Sequence, residues 1–469
     1  MRVFNSLGRE LQEFVPRQAG QVSMYVCGPT VQSSPHIGHG RSAVAFDVIG
    51  RYLEWSGYDV TYVVNITDVE DKIIAAAAER GLTPERVAAE TSAQFRSAYD
   101  ALNIRRPDIE PRATEHIAEM IGLIEKLIAG GHAYAADNGD VYFRVRSFAD
   151  YGRLSGRKID DLISGARIEP GEDKEDPLDF ALWKAAKPGE PRWESPWGPG
   201  RPGWHIECSA MARRYLGDGF DIHGGGTDLV FPHHENEVAQ SEAAHGPPFA
   251  RYWLHNGMVN LGGQKMAKST GRIVDLLGAL DEYPPMAIRL FYLRTHYRRP
   301  VDFTTEALED AGASLERLRS FRRRFSGEPE IDAAPEVLDR FRAFMEDDFD
   351  TAGALSVLFE VVREGNARLD AGQDAEEWVA AYDDIMGVLG LAEPEDSLDD
   401  LRAAIDSLAG SLDVAAAEDP AATVERIVEL RDRARTEEDW ARSDELRDAL
   451  THIGIIVEDA AGGTRWHRQ

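Results

Sequence analysis

The feature that most constrains this chain is a strand–helix alternation that starts, stops for more than a hundred residues and resumes. Val22 to Cys27 is an apolar run of strand character, and a helical pattern through Phe46, Ile49 and Leu53 follows it after a short loop. A second buried strand is expected at Val60-Thr61-Tyr62-Val63-Val64-Asn65. Strand, helix, strand with both strands apolar predicts the opening of a parallel α/β sheet, and such sheets bind ligands at the C-terminal ends of their strands. Residues 83–170 then read as mostly helical, with a short β section around Val141-Tyr142-Phe143. The alternation returns at Trp204 to Met211 and at Phe220-Asp221-Ile222-His223 before a glycine turn, and Pro232 is expected to start a helix through His233, Glu237 and Ser241. The expected fold is therefore a Rossmann-like parallel-sheet domain split by an insertion.

Two short motifs sit on this frame. His36-Ile37-Gly38-His39 falls where the first helix should begin, and backbone N–H groups and the helix dipole favour phosphate there. Lys265-Met266-Ala267-Lys268-Ser269 lies in a glycine-flanked loop, Gly262-Gly263 to Gly271, and holds two of only eight lysines in the chain. Mobile cations of this kind can follow the charge that develops on a leaving pyrophosphate. Histidine with glycine at a helix start usually means only a cap, and the lysine loop alone is compatible with a solvated surface. Together, on one split α/β frame, they read as an ATP site with His36, Gly38, His39, Lys265 and Lys268 as its residues.

A third constellation uses both cysteines. Cys27 ends the first strand, Cys208 comes 181 residues later, and His233 and Glu237 are four apart and so share a helix face. Two thiolates, an imidazole and a carboxylate suit Zn²⁺ and exclude Mg²⁺ or Ca²⁺. His223 and His234 compete as ligands, and two unrelated buried cysteines are the plain alternative. Two cysteines in 469 residues also rule out a disulfide framework and point to a reduced compartment. No stretch approaches the ~18 apolar residues of a membrane span, and the first residues lead into no signal-like region, so a cytoplasmic protein is expected.

After Pro300 the chain turns helical and acidic. Leu308, Ala311, Leu315 and Leu318 keep a three-and-four spacing, as do Trp378, Tyr382, Ile385 and Leu389. Expected domains are 1–82 and 201–303 as the two halves of the catalytic fold, 83–200 as a largely helical insertion, 304–391 as a helical bundle, 392–422 as an acidic linker or loose helix, and 423–469 as a small terminal module. Net charge is −30, and residues 301–469 carry 42 Asp and Glu against 18 Lys and Arg. An acidic, lysine-poor surface fits work in concentrated salt, as in a halophile, where the Debye length falls to ~3 Å. Acidity ordinarily argues against a nucleic-acid partner, but molar salt would leave shape and hydrogen bonds to do the recognition.

These residues resemble the cysteinyl-tRNA synthetases, a family of class I aminoacyl-tRNA synthetases. His36 to His39 matches the family's HIGH motif and Lys265 to Ser269 its KMSKS loop, with Ala267 in place of the usual small hydroxyl residue. Asn65-Ile66-Thr67-Asp68, the block from Gly203 to Met211 and Phe231-Pro232-His233-His234-Glu235-Asn236-Glu237 are similar to blocks particular to the cysteine enzyme, as is the terminal Gly463-Thr464-Arg465-Trp466. The resemblance implies an anticodon-reading function for the helical C-terminal part and one Zn²⁺ on Cys27, Cys208, His233 and Glu237. It further implies an amino-acid pocket of Thr67, Trp204, His223 and Asp228, Mg²⁺ with ATP, and catalysis by His36, His39, Lys265 and Lys268. The expected activity is attack of cysteine on ATP to give cysteinyl-adenylate, then transfer to the 3′ end of tRNA(Cys), by a monomer. Two alternatives share the motifs: a cysteine ligase of mycothiol synthesis, and a catalytically silent paralogue that binds zinc and tRNA.

Overall fold

Strand β1 (Gln21–Val26) feeds helix α1 (Ile37–Trp55), which returns to strand β2 (Asp59–Val64). The chain then leaves the sheet through several elements, among them helix α2 (Pro84–Ala101), and comes back with helix α3 (Trp204–Leu216), strand β3 (Phe220–Gly226), helix α4 (Glu235–His245) and strand β4 (Ala250–Asn256). This is a computed structural model of the chain, and it describes residues 1–159, 173–261, 264–265, 274–325, 327–392, 398, 401–412, 414–417, 419–460 and 463–468. Among these residues no helix is long and apolar enough to cross a membrane.

The four strands are parallel in the order β4-β3-β1-β2. Alternate residues enter two cores: Met24, Val26, Val60, Tyr62 and Ile222 pack with α1, while Tyr25, Val63, Phe220 and Trp253 pack with α3 and the helix Ile117–Ala129. Burial on both faces explains why the strands read as unbroken apolar runs. Gly224 lets α1 come close, since a Cβ there would lie 2.3 Å from the Phe46 ring. From β1 the chain moves to β2 on one side, and its other neighbour β3 arrives only after the insertion. The C-terminal ends of β1 and β3 therefore flank a switch point, where open α/β sheets form their binding crevice.

The insertion is less helical than its pattern predicts. Ala133–Ala135, Val141–Phe143, Phe180–Ala185 and Gly200–Pro202 form a four-stranded antiparallel sheet in that order. Strands this short carry too little periodicity to register against their helical neighbours. Another difference lies at Pro232. The helix begins at Glu235, preceded by a wide turn over Val230–His234 in which Phe231 is extended, so His233 precedes the helix while staying one turn from Glu237.

Helices Thr305–Arg323, Pro335–Met345, Thr351–Asp370 and Glu376–Leu389 close over the back of α1 in the same core as the sheet. A buried Arg289 joins them. It donates to Leu389 O at 2.8 Å and Leu102 O at 2.9 Å and pairs with Asp47 of α1 at 2.5 Å. Contact density divides the chain into Met1–Ala392 and Glu393–Gln469. In the second unit, helices Arg402–Ser411, Pro420–Thr436 and Trp440–His452 and the hairpin Ile455–Ala460/Gly463–Arg468 share a core. Ile405 and Ala409 are buried in that core, so the stretch 392–422, read as an acidic linker or loose helix, supplies a structural helix. Its apolar residues are sparse among Ala, Asp and Glu, which hides the period.

Candidate active site and metal centre

Cys27 stands one residue beyond β1, held by its N–H to Gly224 O of β3 at 3.0 Å. Cys208 is on α3, and His233 and Glu237 arrive on the turn and first turn of α4. Their donor atoms converge. Cys27 Sγ lies 3.6 Å from Cys208 Sγ, 3.5 Å from His233 Nε2 and 3.4 Å from Glu237 Oε1, and His233 Nε2 lies 3.0 Å from Glu237 Oε1. Tetrahedral zinc with bonds of about 2.3 Å to sulfur and about 2.0–2.2 Å to nitrogen and oxygen needs separations of about 3.8 Å between sulfurs, about 3.6 Å from sulfur to N or O, and about 3.4 Å from N to O. The observed spacings match within a few tenths of an ångström, so the residues fit the ion that their chemistry calls for.

A competing set, Cys27, His223, His234 and Glu237, also clusters. Hydrogen bonding decides between them. Glu237 turns Oε1 to the Cys27 thiol and His233, while His223 Nε2 holds Oε2 at 2.8 Å. His234 Nδ1 is held by His255 Nε2 at 2.7 Å, with His255 Nδ1 held in turn by Ser6 Oγ at 2.7 Å, and His234 Nε2 stays 3.9 Å from Glu237 Oε1, against 3.0 Å for His233 Nε2. His233 Nδ1 meets His205 Nδ1 at 2.9 Å, which aims Nε2 at the thiols. His223 and His205 are thus partners that orient ligands, the common arrangement behind a metal, while His255 holds the neighbouring His234.

The electrostatics agree. Burial pushes the Cys27 thiol well up, while the hydrogen bond from Cys27 outweighs burial at Cys208 and brings it down to about 6. At His233, burial favours the neutral ring, yet the Glu237 charge and the Cys208 sulfur outweigh it and hold the imidazole up at about 10. Burial likewise opposes the Glu237 charge and is overcome by His223 and His233, leaving the carboxyl well below its ordinary range. A buried thiolate and carboxylate that rely on a borrowed proton are the state a divalent cation replaces.

Beside this cluster, His36 caps α1. Its Nδ1 accepts from Gly38 N at 3.2 Å, and His39 Nδ1 accepts from His36 N at 3.1 Å, with the rings stacked 3.6 Å apart. An Nδ1 that accepts keeps the proton of a neutral ring on Nε2, so both rings are donors at Nε2. The chain that follows the second motif meets the start of α1: Ile37 N donates to Val274 O and Leu276 N to Pro35 O. Lys265 ends the short strand Gln264–Lys265, and Lys268 lies outside the described residues.

A cavity of about 440 Å³ joins the parts, lined by Cys27, Cys208, His233, His36, Gly38 and His39. Thr67, Trp204 and Asp228 line it as well; His223 does not, being fully buried beneath Glu237. Trp204 stacks on His233 at 4.4 Å, and Gly226 leaves room for Asp228, whose Oδ1 lies 2.4 Å from where a Cβ would be.

Residues 13–313 match the catalytic domain of class I (C) tRNA synthetases, residues 340–393 the DALR domain, and residues 418–466 the cysteinyl-tRNA ligase anticodon binding domain. The cysteine–tRNA ligase of Pseudomonas paraeruginosa is 51% identical over 478 residues, spanning 99% of each chain, and that of Chromobacterium violaceum is 50% identical over 470 residues, spanning 100% of each. The chain belongs to the cysteine–tRNA ligase family. The solved methionyl-tRNA synthetase of Mycobacterium tuberculosis bound to methionyl-adenylate shares the fold, at 16% identity and a TM-score of 0.59 over 78% of this chain and 90% of that one. The terminal match, and full-length identity near one half, favour the ligase over an amino-sugar ligase or a silent paralogue.

Within a cysteine–tRNA ligase site, sequence reasoning missed Asn65. Its Oδ1 accepts from Gly28 N at 2.9 Å and from Cys208 Sγ at 3.7 Å, and its Nδ2 donates to Thr67 Oγ1 at 3.2 Å, so it joins the metal centre to the pocket. A buried asparagine ending an apolar strand was the available signal. His205 and His255 carried none, because their role depends on contacts between distant segments.

Proposed function

We propose that the chain activates cysteine with ATP and transfers it to tRNA(Cys), with Cys27, Cys208, His233 and Glu237 as the residues that hold one Zn²⁺. The convergence of these four donors, of which Cys27, Cys208 and His233 line the cavity that also holds His36 and His39, carries the reading. When bound, the ion supplies a soft Lewis-acidic position for the substrate's sulfur. Trp204 and Thr67 wall the space above, and Asp228, an anion at its edge, suits the substrate's ammonium group. The Nε2–H groups of His36 and His39 donate to the phosphates of Mg²⁺-ATP as the cysteine carboxylate attacks the α-phosphorus and pyrophosphate leaves. Lys265 and Lys268 add positive charge to that departure. A ribose hydroxyl at the tRNA 3′ end then takes the cysteinyl group from the adenylate, and the C-terminal helical domains read the anticodon, where unstacked bases expose their edges.

Selection against serine tests the reading. A pocket that measured only size would reject this near-isostere by ~10²-fold. Sulfur-selective binding predicts a larger gap. Pyrophosphate exchange measured with each amino acid decides, and serine within about a hundredfold of cysteine would rule out selection by the metal centre.

A further inference from the structure

Helix α4 carries Glu237 and follows the wide turn that carries His233, yet its start has no side-chain cap. Local sequence therefore leaves the first turn of α4 weakly specified. Contacts from the insertion specify it instead. Residues 151–157 lie against it: Gly152 N donates to Glu235 Oε1 at 2.9 Å, Ser155 N donates to Glu235 Oε2 at 2.7 Å, and Tyr151 Oη donates to Asn236 Oδ1 at 2.5 Å. The Arg157 guanidinium lies over the Phe231 ring at 4.5 Å, so the same loop also reaches the wide turn before the helix.

Glu235 is fully buried, stands two residues from both His233 and Glu237, and does not line the cavity. No step of the chemistry touches it. A buried carboxyl is costly unless its oxygens are hydrogen-bonded, and here each oxygen takes one loop N–H. Where the loop sits thus decides where the first turn of α4 sits. The loop is itself preset: Gly152 has a φ of +97°, and a Cβ there would lie 2.0 Å from Arg157 O. A functional constellation has to be held within about 0.5 Å by the residues around it. We propose, resting on the zinc reading above, that Glu235 is a positioning residue of the metal centre: through its two oxygens, the insertion loop 151–157 sets the first turn of α4 and with it the placement of His233 and Glu237.

Full-length Glu235→Gln tests this, because glutamine keeps the size but offers one acceptor and turns an NH2 group toward the second loop N–H. Gly152→Ala acts from the insertion's side, displacing the loop without altering α4. Arg153→Gln is the comparison, since Arg153 ties the same loop to Glu242, further along the same helix, at 2.5 Å. Zinc affinity is measured by chelator competition, and ligand geometry by the visible absorption of enzyme loaded with Co²⁺. Glu235→Gln and Gly152→Ala are expected to bind zinc about tenfold more weakly and to shift the Co²⁺ bands. Arg153→Gln should keep the parental bands and an affinity within about twofold. In pyrophosphate exchange, Glu235→Gln should raise the KM for cysteine and leave the KM for ATP unchanged, a split that general loosening of the fold would not give. Parental affinity and bands in Glu235→Gln overturn the proposal, as does an equal loss of affinity in Arg153→Gln, which would tie the effect to helix stability alone. If Glu235→Gln does not fold, Tyr151→Phe, which removes only the bond to Asn236, is read by the same two measurements, and parental values there overturn it. A parent enzyme that binds no zinc would instead overturn the proposed function.

Discussion

His223 illustrates how a single side chain is assigned by its neighbours. From sequence it was both a candidate ligand and a pocket residue; in the structure its Nε2 holds Glu237 Oε2, and it lies out of the cavity. A group that orients a ligand changes metal affinity by about 10–100-fold, less than losing the ligand. His223→Gln is therefore expected to bind zinc about 10–100-fold more weakly yet still load at saturating metal, whereas Cys208→Ser should not retain about one zinc per chain. Metal analysis after dialysis against graded chelator measures both, and equal zinc retention by the two variants would contradict the assignment. Cys27 and Cys208 were legible in advance because cysteine is rare in this chain, and His233 and Glu237 because their four-residue spacing and the family resemblance single them out; His205 gains its role only from proximity, and Asn65 showed itself only as a polar residue at the end of an apolar strand.

At the level of elements, two buried arginines hold α1 in place. Arg41, 2% exposed, donates to the carbonyl oxygens of Gly257, Tyr292, His296 and Arg299, which fixes the start of α1 against the chain that leads into and out of the lysine loop. Arg41→Met strands those acceptors, and at about 1–3 kcal/mol for each unsatisfied buried group the loss should reach about 3 kcal/mol or more. Urea denaturation followed by circular dichroism would detect it. Asp47 is the second anchor. Burial opposes its charge, but Arg289 and Arg51 outweigh burial and hold its carboxyl below the ordinary range. A carboxyl depressed in the folded state stabilises above its unfolded pKa of about 3.9, and that stabilisation is lost as pH falls through the folded value. Asp47→Asn should be less stable at neutral pH and show a shallower loss of melting temperature between about pH 5 and pH 3; parallel acid limbs would contradict this.

For the whole molecule, the change of pattern after Pro300 suggested a cut near Asp310, and the structure argues against cutting there. Leu315, Leu318 and Phe321 belong to the core that includes α1, so such a cut would open the catalytic unit itself. A chain ending at Ala392 keeps that core whole and removes the match to the anticodon binding domain. It should exchange pyrophosphate with cysteine at near the full rate and charge tRNA at least about tenfold more slowly, and equal charging by both lengths would contradict the division of labour. The charge of −30 makes a further prediction. If carboxylate repulsion limits stability, the melting temperature should rise with KCl into the molar range, where the Debye length is ~3 Å. A flat or falling curve would count against adaptation to salt.

Sequence alone determined what depends on local period and on rare residue types. The apolar strands, the helix start at His36, the lysine loop and the four ligand candidates are all features that neighbouring residues or unusual chemistry announce. The tertiary structure decided what depends on which distant segments meet. It put Cys27 and Cys208 within 3.6 Å across 181 residues, set His233 closer than His234 to Glu237, and moved His223 beneath Glu237. It also paired the short strands of the insertion and buried one face of the helix Arg402–Ser411. The physical reason is the same in each case: periodicity records which side of an element is apolar, while hydrogen bonds and metal-ligand geometry depend on distances of a few tenths of an ångström between residues whose separation along the chain carries no trace of them.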